Sequence, residues 1–499
     1  MNISKSRYVN YCQCPKLLWL KTNHPELADE VDDTVFKNGT MVGEIAQGLF
    51  PGGTLVRYDE SNPHNIPAML TATRDLVAAG EKVIYEAAFG VEGLLAICDI
   101  LVRVEHDGEA AFDVYEVKSS TKLKDVYVLD VAFQQYVLGL AGINVRDTYI
   151  VHIDNSYVRQ GALDVQQLFA EERVTELSTA MQPQIAESMS DVFDVLAQGK
   201  EPVCDIGLHC SEPYDCSFRG YCWQHVPPKS VFDIAKLSKG KKFDFYRRGI
   251  ITFKNLVDAR AALNDKQLMQ IEAELKNAEF IDIEAIKDYL DTLYYPLYFL
   301  DFETFMPPVP LYDGTRPFEQ IPSQYSLHHF DEKGGELKHT EFLAQEGTDP
   351  REAIARRLVQ DIPKEACVLA YNMSFEKGVI ESLVDEFPDL AGDLMAIHDH
   401  IGDLIIPFRQ NLYYTKEMNG RSSIKAVLPA LFPDDPELSY HDLELVHNGA
   451  EAMNAFPALN DMPAEERAQM RKSLLEYCKL DTLAMVKILE KLEEAVATS

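Results

Sequence analysis

The chain has 499 residues, of which 46% are apolar, and a formal net charge of −33. That length leaves room for two to four packed domains with sizeable cores. No apolar run reaches the roughly 18 residues of a membrane helix, and Met1–Tyr8 lacks the apolar core of a signal peptide. A cytoplasmic protein without membrane contact is therefore expected, with its nine cysteines as reduced thiols or metal ligands.

The negative charge is uneven. Residues 1–228 carry 17 basic and 33 acidic side chains, residues 229–280 carry 11 and 7, and residues 281–499 carry 19 and 40. The middle stretch alone is net positive. It can hold a polyanion locally between two acidic domains, because salt screens charges beyond about 8–10 Å. A solvated helical linker would show the same composition.

Three parts follow in chain order: residues 1–228, mixing helical and strand patterns; a helical connector, 229–290, set off by Pro227-Pro228; and 291–499, where strands alternate with helices as in α/β domains. There is no internal repeat.

In the first part, residues 94–105 and 111–118 read as two strands joined by the Asp107-Gly108 turn. A turn centred there sets Asp99 directly opposite Glu116, with Lys118 on the same face as Glu116. Two acids and a lysine suit metal-dependent phosphodiester hydrolysis, the acids binding Mg²⁺ and the lysine orienting water or balancing charge. An ordinary cross-strand ion pair would look alike. Cys210, Cys216 and Cys222 follow with five residues between neighbours, and Cys14 lies 196 residues upstream of Cys210. Thiolates favour iron–sulfur clusters or zinc.

This layout resembles RecB-family nucleases that carry an iron–sulfur staple, such as AddB and the CRISPR-associated exonucleases. The resemblance implies a restriction-endonuclease-like α/β core over residues 1 to about 226. It implies a 4Fe–4S cluster on Cys14, Cys210, Cys216 and Cys222, with zinc as the runner-up. It further implies a PD-(D/E)XK centre of Asp99, Glu116 and Lys118, with Glu44 as the early helical acid and Gln134 as the motif glutamine. The tyrosine usual four residues after that glutamine is replaced by Leu138. Cys12 and Cys204 fall outside the set.

The connector clusters Lys236, Lys239, Lys241, Lys242, Arg247, Arg248 and Lys254. Gly249–Leu256 resembles the second half of a helix–hairpin–helix, which implies phosphate contact at a helix start. Residues 265–275 have amphipathic helical spacing.

In the last part, the apolar run Leu293–Phe299 leads into Asp301-Phe302-Glu303. On a strand the two acids share a face, and carboxylates that close call for a cation, Mg²⁺ or Mn²⁺; a strand end with two solvated acids would show the same residues. A second strand, Val368–Tyr371, leads through Asn372 into a helix carrying Glu376, with Ser374 as its cap. A final helix is expected from about Pro463 to Glu494, with Tyr477 and Asp481 on one face. Cys98, Cys367 and Cys478 lie in apolar runs and read as small core residues.

Asp301-x-Glu303, Asn372-x-x-Phe375-Glu376 and Tyr477-x-x-x-Asp481 together resemble the three motifs of DnaQ-like 3′–5′ exonucleases of the tyrosine-bearing subgroup. The resemblance implies an RNase H-like domain. Two metals would be held by Asp301, Glu303, Asp481 and Glu376, and Tyr477 would position the attacking water. The family's second motif ends in Asp where this chain has Glu376, so Asp403 is a possible substitute. The expectation for the whole chain is a metal-dependent nuclease, most simply an exonuclease acting on DNA. The alternatives are an RNA exonuclease and a nucleic-acid-binding scaffold with inactive centres.

Overall fold

A computed structural model describes residues 2–29, 34–57, 65–440 and 443–498. The chain is mixed α/β and divides into two compact units: Met1–Val226 with Pro307–Glu319, and Pro227–Met306 with Gln320–Ser499. Among the described residues no helix is long and apolar enough to cross a membrane.

The sheet of the first unit is built on β1 (Ile3–Ser4), β2 (Thr54–Leu55), β3 (Val83–Val91), β4 (Leu94–His106), β5 (Glu109–Lys118), β6 (Val145–Ile153) and β7 (Phe169–Arg173), in the order β2-β3-β4-β5-β6-β7, with β1 paired to the start of β4. β3, β4 and β5 form an antiparallel meander. The Asp125–Leu140 helix then crosses to β6, which runs parallel to β5. Asp107 and Gly108 both take positive φ, 52° and 82°, the combination of a type I′ turn whose twist matches paired strands. The apolar core lies where Val131, Phe133 and Val137 of that helix meet Ala96, Cys98 and Val114 of the sheet. Pro307–Glu319 belongs to this unit although it interrupts the second one. Arg159 holds it, donating to Pro310 O and Leu311 O at 2.9 and 3.0 Å.

The second unit carries β8 (Phe280–Ile281), β9 (Leu297–Phe305), β10 (Ile321–Phe330), β11 (Lys338–Leu343), β12 (Cys367–Ala370), β13 (Ile401–Asp403) and β14 (Tyr413–Tyr414). Its main sheet has the order β11-β10-β9-β12-β13. β10 is antiparallel to both neighbours, and β12 is parallel to β9 and β13. Leu300 and Phe302 of β9 point into a core with Ile354 and Ile380 from the helices Arg351–Asp361 and Ser374–Glu386. The opposite face is covered by the C-terminal helix Ala464–Ala497 through Leu480, Ala484 and Ile488. Residues 229–290 belong to this unit. Val231, Phe245, Phe253 and Ile271 give them a small core of their own. The amphipathic stretch is the helix Asp265–Lys276, capped reciprocally by Asn264 and Gln267.

Candidate functional site

Two clusters of carboxylates and one of cysteines carry chemistry. The first cluster stands in the β3–β5 meander. β4 and β5 pair Ile100 with Tyr115, and one step along the same register Asp99 faces Glu116. Asp99 Oδ2 also accepts the Val117 N–H at 2.7 Å. On the other side, β3 pairs Tyr85 with Ile100 and Ala87 with Cys98, so Glu86 faces Asp99. Glu86 has φ 56°, a left-handed backbone uncommon for a strand residue and often retained at functional sites.

Glu116 is buried at 1% exposure and accepts on both oxygens. Lys5 and Lys118 donate to Oε1 at 2.5 and 2.8 Å, and Gln134 donates to Oε2 at 2.6 Å. Burial opposes its charge, but the two lysines hold its carboxyl down at about 2. Burial and the Glu116 charge push Asp99 up to about 6, and burial and Asp99 push Glu86 up to about 7. Lys118 is also bonded to Asp130. Its Nζ lies 5.1 Å from the centroid of the Tyr127 ring.

Asp99, Glu116, Lys118 and Gln134 thus meet. Glu44 does not join them. It lies exposed on the Thr34–Ala46 helix, and Glu86 is the further acid beside Asp99. Sequence reasoning missed Glu86, Lys5 and Asp130. Only Asp130 left a signal, lying four residues before Gln134 and so on the same helix face.

The cysteines line one small cavity with Lys16, His209 and Phe218: Cys14, Cys204, Cys210, Cys216 and Cys222. Cys14 Sγ lies 3.5 Å from Cys204 Sγ, and Cys204 Sγ lies 3.7 Å from His209 Nε2. Burial raises the Cys216 thiol to about 11, with the charges of Cys210, Cys222 and Cys14 adding to it. The donors Cys14, Cys210, Cys216 and Cys222 can hold an iron–sulfur cluster, and the close set Cys14, Cys204 and His209 is a donor chemistry zinc also accepts. Cys204, set aside as one ligand too many, is therefore at the site. Cys12 is exposed outside it.

The second cluster is built on β9. Phe302 is buried at 2% exposure, so Asp301 and Glu303 turn to the other face, toward the C-terminal helix. Asp481 on that helix meets them, and one carboxylate oxygen from each of the three lies within 4.8 Å of the others. A bulge opposite Glu303, between Pro322 and Gln324, bends the neighbouring strand. The bulged Ser323 donates to Glu303 O at 3.1 Å. Glu376 is buried at 2% exposure, and its Oε2 has no hydrogen-bond partner among the described residues.

Burial, and then the Asp481 charge, hold both Asp301 and Glu303 well above the carboxylate range, with Glu376 adding to each. Burial, with the Asp403 charge adding to it, takes Glu376 up to about 8. Asp481 is raised to about 6 by burial, against donors from Tyr440 and Tyr477 and the charge of Lys425. The Tyr440 hydroxyl donates to Asp481 Oδ1 at 2.5 Å. Lys425 Nζ lies 5.4 and 5.3 Å from the centroids of the Tyr440 and Tyr477 rings.

Asp301, Glu303, Glu376, Tyr477 and Asp481 therefore share one site. Asp403 is not the substitute acid. It is buried at 3% exposure and spent on the Asn372 and Ile405 N–H groups, at 3.0 and 3.2 Å, and on Arg409 at 3.1 Å. Ser374 is the first helical residue rather than the cap, which is Met373. Cys478, a core residue as expected, also lies 3.5 Å from Asp301 Oδ2. Tyr440 and Lys425 carry no motif and were missed. Four carboxylates with an unpartnered buried oxygen form a hard-oxygen donor set that fits Mg²⁺ or Mn²⁺.

A family model described as a domain of unknown function (DUF2779) matches residues 298–423. That span contains Asp301, Glu303 and Glu376 and ends before Tyr477 and Asp481. The chain is similar to a Mycoplasma pneumoniae protein, "Uncharacterized protein MG366 homolog", with 28% identity over 208 residues, covering 38% of this chain and 31% of that protein.

Proposed function

We propose that this chain is a metal-dependent nuclease with two centres, a DnaQ-like exonuclease centre in the second unit and a RecB-like centre in the first. The carrying observation is the convergence of Asp301, Glu303 and Asp481 from a strand and a helix to within 4.8 Å, with Tyr477 one helical turn from Asp481 on the same helix. The sheet supports this reading: in chain order its strands run third-second-first-fourth-fifth with the second antiparallel, which is the RNase H-like arrangement. The helix-free meander, crossover helix and parallel strand of the first unit likewise suit a restriction-endonuclease-like core.

Asp301, Glu303, Asp481 and Glu376 would hold Mg²⁺ or Mn²⁺. When bound, the metal supplies a hydroxide nucleophile and neutralises charge on the phosphate and leaving oxygen. Tyr477 is held protonated by burial and by the surrounding acids. Its oxygen would accept a hydrogen bond from the attacking water and so direct the water's lone pair at phosphorus. Lys425, exposed beside the acids, offers a charge to the phosphate as it enters. Cys14, Cys210, Cys216 and Cys222 would hold a 4Fe–4S cluster that staples the first unit. The basic stretch 229–280 supports a polyanionic substrate, most simply DNA, with RNA open to the same chemistry.

One observation favours a second reading for the first unit alone, a nucleic-acid-binding module without hydrolysis: Lys5 already pairs with Glu116 at 2.5 Å. Anaerobically purified protein with Mg²⁺ or Mn²⁺ should shorten end-labelled single-stranded nucleic acid. Asp301→Ala should abolish 3′-end shortening. Activity untouched by both Asp301→Ala and Glu116→Ala would refute both assignments.

A further inference from the structure

We propose that Lys5 acts as a resident cation of the first centre, closing it until a divalent metal ion displaces the ammonium from Glu116 and Asp99. The proposal rests on the nuclease reading of the first unit. Lys5 Nζ lies 2.5 Å from Glu116 Oε1 and 3.9 Å from Asp99 Oδ1, so it bridges the two carboxylates that a metal would bridge. Lys118 shares Glu116 Oε1 at 2.8 Å, but it is fixed from its other side by Asp130. The two lysines therefore differ. Lys118 is clamped between two acids. Lys5 stands at the start of the helix Lys5–Gln13 with 26% of its side chain exposed, on a flexible four-carbon stem that can swing to water.

The charges fit a replacement. Lys118 and Asp130 neutralise each other, which leaves Glu86, Asp99 and Glu116 facing Lys5. One ammonium now faces three carboxylates, and a divalent ion in its place brings two positive charges instead of one, so it offsets more of their charge. If Lys5 stayed, a metal would sit within a few ångströms of an ammonium, and like charges that close repel strongly in a half-buried site. Glu86 makes the exchange favourable: its left-handed backbone, φ 56°, turns a third carboxylate toward Asp99. Gln134 holds the remaining oxygen of Glu116 at 2.6 Å, and its own buried Oε1 has no partner among the described residues. Glu116 is thus kept in position when the ammonium leaves.

The test uses the full-length, anaerobically purified protein carrying Asp301→Asn and Glu303→Gln, so that Mn²⁺ binding reports the first centre. Mn²⁺ affinity is read by calorimetry and by the electron paramagnetic resonance of free Mn²⁺. Lys5→Met should bind Mn²⁺ about tenfold or more tightly than the Lys5 protein, because a competing charge is gone. Lys5→Arg should stay within about threefold of it. Equal or weaker binding by Lys5→Met overturns the gate while leaving the metal site intact. Failure of every variant to bind Mn²⁺ in a Glu116-dependent way overturns the metal site and the gate together. A second measurement needs no substitution at Lys5: an amine-reactive reagent, read by mass spectrometry, should modify Lys5 severalfold faster when Mg²⁺ is added, with Lys118 unchanged. Lys5 labelling that ignores Mg²⁺ also overturns the proposal.

Discussion

Lys5 and Cys14 stand at the two ends of one helix. Lys5 is its first residue, and Cys14 caps its C-terminus by donating its backbone N–H to Asn10 O at 2.9 Å. The helix Lys5–Gln13 has nine residues and so spans about 13 Å at 1.5 Å per residue. One end delivers an ammonium to the carboxylates of the first centre. The other delivers a thiol to a cysteine site whose remaining members come from residues 204–222. The cysteine site therefore anchors the element that carries Lys5.

The first prediction follows from that anchoring. A cluster or zinc ion joining Cys14 to Cys210 closes a loop of 196 residues, and a cross-link over such a length is worth about 4–5 kcal/mol in the chain-entropy model. Cys14→Ser, or removal of the cluster by oxidation and chelation, should lower the melting temperature of the first unit by about 10 °C. Cys12→Ser, on the same helix but exposed, should leave it unchanged. Differential scanning calorimetry of the three proteins checks this. Equal melting of Cys14→Ser and wild type would remove the cysteines from any stapling role.

The second prediction concerns pH. In the metal-free second unit, Asp481 is raised to about 6 and Glu376 to about 8, both chiefly by burial. Each binds its proton more tightly in the folded than in the unfolded state, so the stability it contributes is complete below pH about 4 and is lost as pH rises through the folded value. For Asp481 the difference from 3.8 to about 6 corresponds to roughly 3 kcal/mol at 1.36 kcal/mol per unit. The metal-free unit should melt several degrees lower at pH 8.5 than at pH 5.5. Mg²⁺ or Mn²⁺ should remove most of that slope, and Glu376→Gln should flatten its upper half. A melting temperature that rises with pH in the absence of metal would contradict the arrangement.

Parts of this architecture were legible in the sequence for local reasons. Asp107-Gly108 fixes the hairpin register, because both residues adopt positive φ, and that placed Asp99 against Glu116 correctly. Pro463 fixes the start of the last helix, and the four-residue spacing fixes Tyr477 and Asp481 on one face. What was illegible depends on pairing across the sheet or on contacts far apart in sequence. Glu86 is a single acid in an ordinary strand until β3 turns it toward Asp99. Lys5 lies 111 residues from Glu116, and Tyr440 lies 41 from Asp481. The choice between Glu376 and Asp403 turned on which acid keeps a free oxygen. Asp403 sits where Arg409 and two backbone amides consume it, and no local pattern records that. Nor does composition mark Pro307–Glu319 as belonging to the first unit.

The third prediction separates two tyrosines. Tyr440 and Tyr477 both stand beside Asp481, but Tyr477 lies one helical turn from it on the same helix while Tyr440 approaches from a different segment and hydrogen-bonds it at 2.5 Å. Tyr440→Phe removes a donor that orients a candidate metal ligand, and losses of this kind weaken metal binding about 10–100-fold. Tyr477→Phe removes the acceptor for the attacking water, so kcat should fall about 10–100-fold with metal affinity within about threefold of wild type. Single-turnover hydrolysis and Mn²⁺ titration of both variants check the division. The same profile for both variants would mean that neither has a distinct role.

The last prediction concerns Lys118 and Asp130. Asp130 is only 8% exposed, and its carboxylate holds Lys118 on the side away from Glu116. The charges of Glu116 and Asp130 outweigh the burial that would lower Lys118, so its ammonium is held above the usual lysine range. Asp130→Asn removes one of the two supports and one of the two charges. The Lys118 ammonium should then lose its proton at lower pH, and its position should loosen. In the Asp301→Ala background, where hydrolysis reports the first centre, kcat should fall about 10–100-fold with KM little changed. The alkaline limb of the pH–rate profile should move to lower pH. Asp130→Glu should recover part of the rate, since it restores the charge at a slightly different reach. If Asp130→Asn lowers the rate without moving the alkaline limb, Asp130 only packs the helix against the sheet, and Lys118 takes its position from Glu116 alone.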